Sequence, residues 1–282
     1  MTIADLQGRL LGARALRYDA ADAALYALAV GAGAEDLDLV YERDLRVLPT
    51  YAAALGIWAT GEAARVGGYD ESKVLHLSQV VRLHTALPAA AAFDSRARVV
   101  EVFDKGSAAI VHVLVETEFF DARYVMFVPG EGGWGGDRGP AARRIAVTDP
   151  ASAVEVKTAA NAAALYRLTG DPHPVHIDPV VARENGYHEP ILHGLCTFGT
   201  VIRVVMRALQ IPPVSVCDIE ASFLAPVFPG DVLEVRAQPG EDGSTLFESR
   251  VGGTPVLSGA FTTRPHNGPP AAPLRVSTAG VR

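Results

Sequence analysis

Twice along this chain a helical stretch gives way to strands joined by short turns, and that doubled order constrains the fold more than any other feature. In the first pass, Asp22 can cap a helix over residues 22–31, where Leu25, Leu28 and Ala29 recur at helical spacing. Residues 50–64 read as an irregular or short helical segment. The period then changes. Residues 74–83 alternate as a strand, and residues 97–103 and 108–120 flank Asp104-Lys105-Gly106 as a long hairpin, with residues 123–128 as a further strand. In the second pass, residues 158–168 read as a helix closed by Gly170. A short helix over 179–185 has Asp178 as cap, Pro179 at its first position and Gly186 just beyond. A long helix over 194–210 carries Leu195, Phe198, Ile202, Val205, Met206 and Leu209 as one buried stripe. Strands over 215–224, 232–238, 245–251 and 255–263 follow, the last two joined across Gly252-Gly253. The fold class this predicts is α+β, in two tandem units of helix against antiparallel strands.

The chain has 282 residues, of which 49% are hydrophobic, enough for one large domain or two of about 140 residues. A formal net charge of −7 argues against a general nucleic-acid binder, which carries a basic excess. Cys196 and Cys217 form no Cys-x-x-Cys pair and cannot build a disulfide framework. No apolar run reaches the length of a membrane span, and the first residues lack a basic-then-apolar signal pattern. A cytoplasmic protein with neither nucleic-acid nor membrane partners is expected. Gly130, Gly132 and Gly135 spell G-x-G-x-x-G, but no helix opens behind them as a dinucleotide site requires, so the stretch reads as a mobile loop. The expected organisation is a first unit over 1–129, a glycine-rich linker over 130–150, a second unit over 151–263 and a disordered tail over 264–282.

Chemistry concentrates between Tyr166 and Pro179. Pro172 and Pro174 push Asp171 and His173 out of helical geometry, so the segment must be a loop between two helices. Asp171 and His176, five residues apart on that loop, can converge on one point, and this pair of residue types moves protons near neutral pH. The same residues also suit a turn capped by Asp171 and a satisfied core histidine at His176. A zinc site drawn from His173, His176, His188, His193 and Asp178 is weaker. No His-x-x-x-His or cysteine pair accompanies these residues, so no metal is expected.

The stretch Tyr166-Arg-Leu-Thr-Gly-Asp171-Pro-His173-Pro-Val-His176-Ile-Asp178-Pro closely resembles the signature of the MaoC-like dehydratases and their (R)-specific 2-enoyl-CoA hydratase 2 branch. The segments from Glu189 to Gly199 and from Phe223 to Leu233 are similar to the family's continuation, and Leu25 to Gly33, Val40 to Glu42, Leu48 to Thr50 and Asp104 to Gly106 are similar to its N-terminal repeat. The resemblance implies a double hotdog: two repeats, each a long helix wrapped by a curved antiparallel sheet, with the single active site in the second and the first walling the acyl pocket. It implies reversible hydration of a trans-2-enoyl-CoA to a (3R)-3-hydroxyacyl-CoA, with no cofactor beyond the coenzyme A of the substrate, and a homodimer. Asp171 and His176 would be the pair that activates water, and the backbone N–H of Gly194 would receive the thioester oxygen. His173 stands where the family has a water-positioning Asn, and this departure keeps a non-catalytic acyl-CoA-binding subunit in play as an alternative, with a hotdog thioesterase as another.

Overall fold

The computed structural model describes residues 2–141 and 145–264. Its ten strands form one continuous antiparallel sheet. The first repeat supplies β1 (Leu10–Tyr18), β2 (Leu75–Leu83), β3 (Ala91–Asp104), β4 (Ala108–Thr117) and β5 (Phe120–Pro129). The second supplies β6 (Ser152–Lys157), β7 (Val216–Phe223), β8 (Val232–Pro239), β9 (Thr245–Val251) and β10 (Thr254–Thr263). The order is β1-β3-β4-β5-β2-β7-β10-β9-β8-β6, so each half has the same internal connectivity and the two meet back to back. The seam is the β2–β7 ladder, from Ser78 opposite Ser222 to Arg82 opposite Asp218, whose side chains pair at 2.8 Å.

The helices lie on the sheet. In the first repeat they are α1 (Ala20–Ala29), the single turn α2 (Leu37–Val40), α3 (Tyr51–Gly56) and α4 (Trp58–Gly67). In the second they are α5 (Ala162–Tyr166), α6 (Pro179–Glu184) and α7 (Gly194–Ala208). The second repeat has the expected long helix, and α7 is buried along nearly its whole length. The first repeat departs from it. There the helical stretch runs as α3 and α4, interrupted at the single residue Ile57, whose backbone stays in the helical region with tighter i to i+3 bonds. An ion-pair clamp holds α7 to the first repeat: Arg203, its side chain 11% exposed, lies 3.6 Å from buried Asp36 and donates to Val30 O, while Arg207 reaches the same carboxylate.

Other differences have local causes. The cap of α1 is Asp19, whose carboxylate accepts from Ala21 and Asp22 N–H, while Asp22 bonds back to Asp19 N–H. Two capping acids three residues apart make a box, and the outer one begins the helix. The expected helix over 158–168 shortens to α5 and a 3-10 turn, Arg167–Thr169. The expected strand over 108–120 breaks where Thr117 Oγ1 accepts from Phe119 and Phe120 N–H, folding the chain into β5. β1 and β6 were not predicted. They are the two edges of the sheet and are exposed on both faces for much of their length, so they lack the alternation that marks half-buried strands.

The glycine-rich stretch is anchored rather than free. The buried Asp104 carboxylate accepts N–H bonds from Gly133, Gly106, Gly135 and Gly136, which hold its pKa down to about 2. The nest of amides that sequence could suggest for a phosphate is thus filled by the protein's own carboxylate. The tail expected to be disordered lies, from Pro265 on, outside the described residues.

Candidate active site

A cavity of about 700 Å³ opens at the seam between the repeats. Asp171, His173, His176 and Gly194 all line it, and so do Trp58, Tyr69 and His76 from the first repeat. The loop that carries the first three is set by short-range bonds. The 3-10 turn after α5 ends at Gly170, whose φ of 128° is a conformation that L side chains rarely adopt. One oxygen of Asp171 accepts from His173 N–H at 3.2 Å. His173 Nδ1 then accepts from Val175 N–H at 3.3 Å, capping the 3-10 turn Pro174–His176. An Asn side-chain oxygen occupies nearly the same place relative to its backbone as His Nδ1, so the departure from the family residue preserves a cap. Asp178 caps α6 by accepting from Val180 N–H at 2.8 Å.

His176 is oriented by its outer nitrogen. Nδ1 lies 2.9 Å from Ile191 O, and because a carbonyl only accepts, Nδ1 carries the proton and Nε2 keeps a lone pair. Burial lowers the His176 pKa below its ordinary value, and the Asp171 carboxylate offsets part of that effect. A neutral imidazole with a free lone pair is a base, and the carboxylate beside it is a second one. The His176 ring is stacked on His193, with centroids 3.7 Å apart. His193 is fully buried, and its Nε2 lies 3.2 Å from the backbone oxygen of Asp171, tying the loop to the start of α7. Desolvation holds His193 well below the usual histidine range, and the neighbouring His176 adds to this.

Gly194 is the first residue of α7, where backbone N–H groups have no intrahelical acceptor and the helix dipole favours negative charge. A Cβ there would sit 3.1 Å from the Phe223 ring, tighter than ordinary packing, so glycine lets β7 close onto the helix start. The arrangement therefore offers two proton acceptors on one loop and unpaired N–H donors at a helix N-terminus, lining one cavity. That is a proton-transfer site with provision for an oxyanion.

The wider histidine cluster does not assemble as its spacing allowed. Donor atoms of Asp171, His176 and His193 lie within 4.8 Å of one another, and one nitrogen of each histidine bonds a backbone carbonyl, which leaves the other free. His188 instead stands 3.4 Å from Glu189 and packs on Phe228, and Asp178 serves its helix cap. Sequence reasoning missed His76 as a site residue and did not separate His193 from the metal candidates. His76 was hidden by a bulge. Leu77 is skipped in the β2–β5 ladder, where His76 pairs with Met126 and Ser78 with Val125. The bulge reverses the alternation and turns His76 to the same face as buried Gln79.

The MFE-2 hydratase 2 N-terminal domain matches residues 16–127 and the MaoC like domain matches residues 144–259. The chain is 36% identical over 250 residues to 3-hydroxyacyl-thioester dehydratase Y of Mycobacterium tuberculosis, covering 83% of this chain and 86% of that protein. It is 32% identical over 249 residues to the peroxisomal enoyl-CoA hydratase 2 of Arabidopsis thaliana, covering 77% and 80%. The MaoC-like dehydratase from Phytophthora capsici superposes with a TM-score of 0.82 at 24% identity, over 94% of this chain and 98% of that one. The chain belongs to the MaoC-like dehydratase family, in its hydratase 2 branch. Its fold is the double hotdog, the second repeat complete and the first with its long helix divided.

Proposed function

We propose that this chain is an (R)-specific 2-enoyl-CoA hydratase, adding water reversibly across the double bond of a trans-2-enoyl thioester to give the (3R)-3-hydroxyacyl thioester. The observation that carries the reading is that Asp171, His176 and the N-terminus of α7 line one cavity. Two acceptors, the free oxygen of Asp171 and Nε2 of His176, hold a water by its two O–H groups and leave an oxygen lone pair for C3. As the C3–O bond forms, the carbon–carbon π electrons shift toward the thioester, and its oxygen gains enolate charge against the Gly194 N–H. Asp171 takes the proton released by the water and gives it to C2 as the enolate collapses, which returns the carboxylate to its starting state. The reverse sequence is dehydration. A preorganised donor at the oxyanion is typically worth about 10²–10³ in rate.

His173 contributes by holding the loop and facing the cavity beside the water. No metal or organic cofactor enters this scheme, and coenzyme A serves as the handle of the substrate. The open sheet edges, β1 and β6, are compatible with the expected homodimer, which light scattering on the purified protein tests. A cytoplasmic location is proposed from the sequence pattern. Among the described residues no helix is long and apolar enough to cross a membrane.

The test is loss of enoyl-thioester absorbance with crotonyl-CoA and a longer trans-2-enoyl-CoA. Asp171→Asn and His176→Ala are each expected to lower turnover at least about 10²-fold, the lower range for a positioned acid or base. Binding of acyl-CoA without turnover by the unaltered protein establishes the non-catalytic subunit instead. Near-normal activity in either folded variant refutes the assignment of the pair.

A further inference from the structure

A second cleft lies behind the loop that carries Asp171. Its volume is about 270 Å³, and it opens between β1, α1, α3 and the 3-10 turn Arg167–Thr169. Ile57, Trp58 and Gly170 line both this cleft and the larger cavity. The α3–α4 junction and the residue before Asp171 therefore form the wall between the two. Gly170 faces Ile57 across that wall, where a Cβ would lie 3.8 Å from Ile57 Cγ2.

Arg14 is the cation of the cleft on the helix side of the sheet. On β1 it pairs with buried Ser95, as Leu16 pairs with buried Phe93, so its side chain stands on the face that carries the helices. Its guanidinium carbon is 6.0 Å from the centre of the Trp58 ring, the outer limit of a cation–π contact. Among the described residues Arg14 has no ion pair. The cleft's acid, Asp22, already accepts from Asp19 N–H at 3.0 Å in the cap of α1. Trp58 brings a second donor, since its indole N–H is buried with no acceptor among the described residues. A free guanidinium and an unpaired N–H at neighbouring side chains match an acceptor that carries negative charge. Leu16, Leu25, Leu55 and Leu168 supply apolar lining for a chain leading to it.

Resting on the hydratase reading, we propose that this second cleft receives the far end of a long acyl chain and that Arg14 selects chains ending in a carboxylate. A chain whose C3 is held at Asp171 passes Gly170, the next residue along the loop, and crosses the wall at the α3–α4 junction. Ile57 and Trp58 turn aside to admit it, and both side chains are only half-buried. The substrate class is then the mono-thioester of a trans-2-enedioic acid.

Matched pairs of trans-2-enoyl-CoA, from six to sixteen carbons long and ending in either a methyl group or a carboxylate, test this. Arg14 is exposed, so its substitutions should leave the fold intact. At the lengths that reach the cleft, Arg14→Gln is expected to lower kcat/KM for the carboxylate substrate at least about 10-fold, the effect of losing one hydrogen bond to a charged group. The methyl partner of the same length should change less than about twofold. Arg14→Lys, which keeps the charge, should recover part of the loss. The shortest pair should be indifferent to Arg14, which separates recognition of the chain end from an effect of net charge. Equal losses for both members of every pair overturn the proposal. No loss with any substrate also overturns it, and leaves Arg14 as a charge that guards the open edge β1. Saturated acyl-CoA pairs with the same two ends require no chemistry and give an independent reading. Arg14→Gln should raise the dissociation constant of the long carboxylate ligand at least about 10-fold and spare the methyl one, and unchanged constants refute the site. If the unaltered protein hydrates no member of the series, the hydratase reading fails, and the saturated pairs still decide the role of Arg14.

Discussion

Acid should destabilise this protein through its desolvated histidines, and His193, which is buried, provides the cleanest test. Burial holds the pKa values of His76, His112, His176 and His193 below the ordinary 6.5 in the folded chain. The unfolded chain, whose histidines titrate near 6.5, therefore binds more protons as the pH falls below that value. Stability is lost as pH drops from about 6.5 toward each folded pKa and is fully present above 6.5. The linkage slope is about 1.4 kcal/mol per pH unit for each histidine while it is protonated only in the unfolded state. For His76, whose folded pKa is about 4, the loss accumulates to about 3 kcal/mol. Carboxylates held below their ordinary values, such as Asp36 and Asp104, release their contribution at lower pH, so the window between about 5 and 6 belongs mainly to the histidines. His193→Gln removes one titrating group, while the Gln amide can still donate to Asp171 O as Nε2 does. Urea unfolding at half-unit intervals from pH 5 to 7.5 should show a slope shallower than that of the unaltered protein by about 1.4 kcal/mol per pH unit below 6. Identical slopes would mean that His193 takes up its proton without unfolding, and the account of a desolvated, neutral stack on His176 would be wrong.

Three further outcomes follow from the same geometry. His173→Asn should change stability by less than about 0.5 kcal/mol in urea unfolding, since Asn can cap the turn at Val175 equally well, and a larger loss would show that the imidazole does more than cap. Asp36→Ala leaves Arg203 largely buried without its carboxylate and should cost about 3–5 kcal/mol, read as a lower urea midpoint; a change under 1 kcal/mol would dismiss the clamp. Residues 151–282 expressed alone should be insoluble or inactive on enoyl thioesters, because β7 would lose its ladder to β2 and the cavity one of its walls; a folded, fully active fragment would refute this.

What sequence could reveal followed the strength of local rules. The stripe of α7, the Asp178–Pro179 start of α6 and the hairpin between β9 and β10 are written in spacing and turn residues, and they were legible. So was the candidate loop, because two prolines force its backbone out of a helix. The edges β1 and β6 were not legible, since water on both faces removes the alternation that identifies a strand. His76 escaped because one bulged residue inverts which side chains face inward. The short helices α3 and α4 fall where residues 50–64 read as an irregular or short helical segment. The stacking of His193 on His176 joins residues seventeen positions apart through a loop, and it emerges only when α7 docks.

The divided helix of the first repeat carries a consequence for how such a chain can change. In a pair of identical hotdog subunits, any substitution that breaks the long helix to widen a pocket is imposed on both copies. One of those copies must keep its helix start intact to receive an oxyanion. Covalent duplication removes that conflict. The second repeat here retains α7 unbroken from Gly194, while the first has split its counterpart into α3 and α4 around Ile57, and Ile57 and Trp58 both line the cavity. On the proposed hydratase reading, loss of symmetry lets the second half stay fixed while the first, whose Ile57 and Trp58 line the cavity, can change. Substitutions that alter chain-length preference should accordingly gather at the α3–α4 junction and spare the first turn of α7.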